Sequence, residues 1–131
     1  MKIMIVDDHA EMRRTIKNFI TLASGKKHQI IEYETGEKAL LEYESQQPDF
    51  VLMDIELKSI SGFTVSKEII KKDPDAKIIL VSSYNTPGFR RKAEELGLVA
   101  FVAKDKLSDL QPILNSKKLK TNTRVQNEAF N

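Results

Sequence analysis

Ile3-Met4-Ile5-Val6-Asp7-Asp8 places four apolar residues in a row directly before two carboxylates. A block without polar alternation is expected of a strand covered on both faces, the condition of a parallel sheet packed between helices. The same kind of block returns as Phe50-Val51-Leu52-Met53, Ile78-Ile79-Leu80-Val81 and Val99-Ala100-Phe101-Val102. Gln29 to Tyr33 is a weaker fifth block that suits a sheet edge.

The intervening segments carry helical spacing. Met12, Ile16, Phe19, Ile20 and Ala23, at offsets of 4, 7, 8 and 11, share one face and should pack on the sheet. A second helix is expected after Thr35, with Ala39, Leu40 and Tyr43 inward, and should stop before Pro48. Gly62 precedes a third, which carries Phe63, Ile69 and Ile70 and ends near Asp73-Pro74. A fourth should begin at Pro87, bury Phe89, Ala93 and Leu96, and end at Gly97 as a left-handed cap. Ser108 reads as the N-cap of a short fifth helix that tolerates Pro112 near its first turn. Strands and helices in alternation define an open, doubly wound α/β sheet with right-handed crossovers. Residues 1–116 form that domain; residues 117–131 are polar and without periodicity, and read as a flexible tail or the start of a linker.

The 131 residues, 31% charged and 40% hydrophobic, fit one globular domain. The absence of cysteine excludes disulfides, thiolate zinc sites and a cysteine nucleophile and leaves only His9 and His28 as imidazole ligands, so a metal is expected to sit on oxygen. No apolar run approaches the roughly 18 residues of a membrane span, and no signal peptide follows Met1; a soluble, cytoplasmic protein without a membrane partner is expected. Residues 1–116 hold 17 basic against 18 acidic side chains, which speaks against a broad nucleic-acid footprint.

In sheets of this class ligands bind beyond the carboxyl ends of the strands. The residues that follow the apolar blocks are Asp7 and Asp8, Asp54, Ser82 and Ser83, and Lys104. Each has a plainer reading alone, as a helix cap, a turn residue or a solvated charge. Together, three carboxylates repel one another unless a cation neutralises them, and one lysine is insufficient. A divalent ion such as Mg²⁺, held by carboxylates, a backbone carbonyl and water, answers that need. Such a centre, with a serine and a lysine beside it, suits phosphoryl transfer, and Asp54 is the candidate nucleophile. Gly62, eight residues on, lets the loop after Asp54 fold tightly. His9 beside a hard-cation site reads as a surface residue or helix-start contact.

The ordered set Asp7-Asp8, Asp54 with Gly62, Ser82, and Phe101-Val102-Ala103-Lys104 resembles the receiver domain of two-component response regulators, over residues 1–116. The resemblance implies a flavodoxin-like five-stranded parallel sheet of order 2-1-3-4-5 with five helices. It also implies roles. Asp54 would accept a phosphoryl group from a sensor histidine kinase; Asp8 would bind Mg²⁺ directly, Asp7 through water, and Glu56 through its backbone carbonyl. Lys104 and Ser82 would contact the phosphoryl oxygens, and Ser82 and Phe101 would form the switch.

Val6-Asp7-Asp8-His9 followed by Met12-Arg13 is similar to the LuxR-type subfamily, whose receivers precede a helix-turn-helix domain. DNA would then be reached only through an output domain outside this chain; a stand-alone receiver, or a phosphate-independent interaction module, is the alternative. Lys58 stands where the family usually has proline, Asp105 where many members have a cis proline, and Phe101 where tyrosine is usual. Arg13, Arg14 and Lys17 are expected to give the first helix a basic face for the kinase. Arg90, Arg91, Lys92, Glu94, Glu95, Asp105 and Asp109 carry both charge signs and would suit a phosphorylation-dependent homodimer. A small phosphohydrolase fits less well, because Glu56 replaces its second catalytic aspartate, and a flavodoxin lacks its phosphate loop here. Glu56 and Tyr84 are expected to tune the lifetime of the phosphorylated form.

Overall fold

A computed structural model describes residues 1–24 and 27–116; the side chains of Ala23 and Ser24 and the tail 117–131 lie outside the described residues. The chain runs β1 (Lys2–Val6), α1 (Ala10–Ser24), β2 (Gln29–Tyr33), α2 (Gly36–Gln46), β3 (Phe50–Asp54), α3 (Gly62–Lys72), β4 (Ile78–Ser82), α4 (Pro87–Glu95), β5 (Ala100–Ala103), a 3₁₀ segment (Lys104–Asp109) and α5 (Leu110–Asn115). All strand pairs are parallel, in the order β2-β1-β3-β4-β5. This is the flavodoxin-like order that the resemblance implies.

The apolar blocks lack alternation because both faces of the sheet are covered. Met4, Val6, Val51, Met53, Ile78, Leu80 and Phe101 pack on one side with Ala39, Tyr43, Phe63, Val65, Ile69 and Ala93 of α2, α3 and α4. Ile3, Ile5, Leu52, Ile79, Val81 and Val102 pack on the other with Ile16 and Ile20 of α1 and Leu110 and Leu114 of α5. Alternate residues of one strand thus enter different cores.

Local signals set the helix ends. Thr35, Ser61 and Thr86 cap α2, α3 and α4 by accepting from the amides of Lys38, Phe63 and Phe89. Gly97 follows α4 at φ +77°, as expected of a left-handed cap. Two expectations fail. Phe19 is 40% exposed and lines a surface cavity with Leu22, Leu107, Ser108 and Gln111 instead of entering the core. Ser108 caps nothing: it lies inside the 3₁₀ segment, and Asp109, which precedes α5, has helical angles and no capping side-chain bond. The chain enters α5 from a preceding helical turn, so there is no extended cap residue. Pro112 sits within the first turn of α5, where its missing N–H leaves no bond unmade.

Candidate functional site

The reversal of strand order between β1 and β3 opens a crevice at their carboxyl ends, and Asp7, Asp8 and Asp54 stand there. Asp7 and Asp54 are 1% and 2% exposed. Lys104, just past β5, places Nζ 3.2 Å from Asp7 Oδ2 and 3.2 Å from Asp54 Oδ1. Residues far apart in sequence therefore meet as one charged centre.

Backbone contacts fix the cluster. The amide of Asp7 donates to the Tyr33 carbonyl at 3.1 Å, continuing the pairing of β1 with β2. Asp7 Oδ1 accepts from the His9 amide at 2.8 Å, and Arg13 Nη1 donates to the Asp7 carbonyl at 2.6 Å. The Glu56 amide donates to Asp54 Oδ1 at 3.3 Å. Gly62 closes the loop after Asp54: its amide donates to the Ile55 carbonyl at 2.8 Å, and a Cβ there would lie 2.0 Å from the Asp54 carbonyl oxygen. Only glycine permits that approach.

Burial, then the charge of Asp7, push the Asp54 carboxyl above the usual carboxylate range, partly offset by Lys104 and the Glu56 amide. Burial acts to lower Lys104, but Asp54 and Asp7 outweigh it and the ammonium is held above its ordinary value. One ammonium faces a centre of three carboxylates. Asp8 Oδ1 and Asp54 Oδ2 are buried and make no hydrogen bond. Orphaned carboxylate oxygens gathered in this way fit a hard divalent cation, so the cluster suits Mg²⁺. The imidazole of His9 also reaches it, with Nδ1 3.1 Å from Asp8 Oδ1 and 3.3 Å from Asp7 Oδ1.

Ser82 is fully buried at the end of β4, where its Oγ accepts from the Tyr84 amide at 3.0 Å, while Ser83 is exposed and Tyr84 is 55% exposed. Phe101 is buried in the core beneath α4, and the Arg90 guanidinium lies 5.3 Å from its ring centre. Two features were hidden in the sequence. Arg13 belongs to the scaffold of the site, because it also donates from Nε to Glu32 at 3.0 Å, and Lys17 binds the same carboxylate at 2.8 Å. The expected basic face of α1 is thus largely neutralised by β2, leaving Arg14 exposed. The other feature is a cavity of about 220 Å³ beside Asp8, lined by Glu34, Thr35, Gly36, Leu57, Lys58 and Ser59. Ser59 donates to Glu37, tying the loop after β3 to α2 across a separation that no local motif reveals.

The structure is thus a flavodoxin-like parallel sheet with an acidic cluster and a lysine at the carboxyl ends of its strands. The chain belongs to the response regulator receiver domain family, which it matches over residues 3–115. Among curated proteins it is 36% identical to the chemotaxis protein CheY of Thermotoga maritima, over 79% of this chain and 84% of that one. The crystal structure of the response regulator TrrA from Thermotoga maritima, in complex with Mg(2+)-BeF, superposes with a TM-score of 0.76 at 34% identity, over 90% of this chain and 97% of that one. A LuxR-family DNA-binding response regulator from Staphylococcus aureus superposes with a TM-score of 0.78 at 27% identity, over 92% and 98% of the two chains. The protein is thus a module of phosphorylation-dependent two-component signalling, and receiver domains are signalling modules rather than enzymes. Among the described residues no helix is long and apolar enough to cross a membrane.

Proposed function

We propose that Asp54 is the phosphoacceptor of a cytoplasmic switch operated by a sensor histidine kinase. The observation that supports it most is the meeting of buried Asp54, its Oδ2 without a hydrogen bond, with Lys104 Nζ at 3.2 Å and the carboxylates of Asp7 and Asp8. A carboxylate oxygen of Asp54 attacks phosphorus in line; the P–N bond of the donor phosphohistidine breaks and the imidazole leaves with its electron pair. Asp7, Asp8, Asp54 and the backbone carbonyl of Glu56 would hold Mg²⁺, Asp8 directly and Asp7 through water. When bound, the ion offsets negative charge on the transferring group. Lys104 moves its ion pair from the carboxylates to the phosphoryl oxygens.

Ser82 leaves the Tyr84 amide to hydrogen-bond the phosphoryl group, and Phe101 repacks beneath α4 as it does so. The new charge thereby reaches the surface formed by α4, β5 and α5. The likeness to a LuxR-family regulator supports a transcriptional output through a domain joined by residues 117–131, and DNA contact through that domain alone. Glu56 and Tyr84 set the lifetime of the acyl phosphate through their side chains. The test is incubation with a small acyl phosphate, with and without Mg²⁺, read by intact-protein mass. A single Mg²⁺-dependent phosphoryl adduct is expected; none under either condition would leave a phosphate-independent interaction module.

A further inference from the structure

We propose that Arg13 is a positioning residue for the metal centre: by clamping the peptide between Asp7 and Asp8 to β2, it sets where the Asp8 carboxylate stands and so how tightly Mg²⁺ is held. This deepens the function proposed above and rests on its reading of Asp8 as a direct ligand. Arg13 Nη1 donates to the Asp7 carbonyl at 2.6 Å, and Nε of the same guanidinium donates to Glu32 Oε1 at 3.0 Å. Lys17 donates to the other oxygen of Glu32 at 2.8 Å, which holds that carboxylate in place for Arg13. The Arg13 amide donates to the His9 carbonyl at 3.1 Å, so the residue grips the loop before α1 at a second point.

The Asp7 carbonyl belongs to the peptide that joins Asp7 to Asp8, so a bond to it fixes the plane from which Asp8 departs. Strand pairing holds Asp7 through its amide, but Asp8 lies past the end of β1 at Val6. Its Oδ1 is buried and accepts no hydrogen bond, so no donor aims that oxygen and the backbone must. A guanidinium is suited to the task because its donors form a rigid fork that can bridge two acceptors at once. Charge and position act in opposite directions here. As a cation beside three carboxylates, Arg13 would by charge alone weaken the hold on a second cation, so its removal would tighten Mg²⁺. Loss of the clamp loosens Asp8 and weakens Mg²⁺, as removal of an outer partner of a ligand does elsewhere. The sign of the change therefore separates the two roles.

The test is titration of the full chain with Mg²⁺, by calorimetry and by the initial rate of phosphorylation from a small acyl phosphate, for wild type, Arg13→Ala, Glu32→Ala and the double variant. Arg13→Ala should raise both the Mg²⁺ Kd and the half-saturating Mg²⁺ concentration about tenfold. Its rate at saturating Mg²⁺ should fall by less than about threefold. Glu32→Ala, which frees Nε and leaves Nη1 in place, should weaken Mg²⁺ in the same direction and to a smaller extent. The double variant should match Arg13→Ala, because Glu32 acts only through Arg13. Urea unfolding of each variant gives its folded fraction; a purely structural role lowers the rate at every Mg²⁺ concentration and leaves the half-saturation point where it was. An unchanged or tighter Mg²⁺ affinity in Arg13→Ala overturns the proposal, and additive losses in the double variant overturn the clamp. If wild type binds Mg²⁺ but takes no phosphoryl group, the phosphoacceptor reading fails and the affinities alone decide the role of Arg13. If wild type binds no Mg²⁺, the metal reading fails and the proposal with it.

Discussion

Asp54 is nearly sealed from water beside two other carboxylates, and the single ammonium of Lys104 does not balance them. Removing the Asp54 charge should therefore stabilise the metal-free protein at neutral pH. Asp54→Asn is expected to add on the order of 1 kcal/mol, about 4 °C in Tm for a domain of this size, with saturating Mg²⁺ narrowing the gap. A Tm below wild type in chelator would contradict this. Glu32 behaves in the opposite sense. Its bond to Lys17, joined by Arg13, holds its carboxyl below the usual range against the opposing effect of burial. A lowered folded-state pKa gives stability that is present above the unfolded carboxylate's range and lost as pH falls through the folded value. Glu32→Gln should thus cost about 0.5 kcal/mol at pH 7, solvent screening included, and nothing at pH 2, as measured by urea unfolding. Asp54 was legible in the sequence because a carboxylate directly after a buried strand is conspicuous. The role of Arg13 was not, since it lies on α1 and its partner Glu32 on β2, 19 residues away.

Helix α3 shows how an element is placed by one residue. Gly62 lets the first turn of α3 press against the backbone of Asp54, and a Cβ there would meet the Asp54 carbonyl oxygen at 2.0 Å. Backbone cannot yield as a side chain does, so Gly62→Ala should destabilise by about 1–3 kcal/mol. It should also slow phosphorylation by moving Asp54; full stability with a normal rate would contradict the packing. Strand and helix positions could be read from the sequence because each core face imposes its own spacing. The start of α5 could not: Ser108 looks like a cap, but the chain is already turning in a 3₁₀ helix kinked at Lys106, where φ is −132°. Phe19 misled as well: its spacing matches the inner face of α1, yet it stands 40% exposed beside a surface cavity.

The sheet separates two cores; Ser82 is buried at the end of β4 and Phe101 packs in the core beneath α4. For the proposed switch to move from 1:99 to 99:1, phosphorylation must favour the active state by about 5.5 kcal/mol. Arg90 and Lys92 lie over the rings of Phe101 and Phe63, so repacking beneath α4 would shift the charges on its surface. A homodimer through that surface should raise the sedimentation coefficient on phosphorylation at high protein concentration; an unchanged value would rule it out. The strand order was legible from the family pattern of charged residues after apolar blocks, whereas the cavity beside Asp8 emerged only from three loops meeting in space. The most direct test of the whole scheme is to locate the phosphoryl group. Borohydride reduction of the phosphorylated protein, followed by peptide mass spectrometry, should convert Asp54 alone to the corresponding alcohol. Reduction at another aspartate, or at none in a protein that carries the adduct, would contradict the assignment of Asp54 as the acceptor.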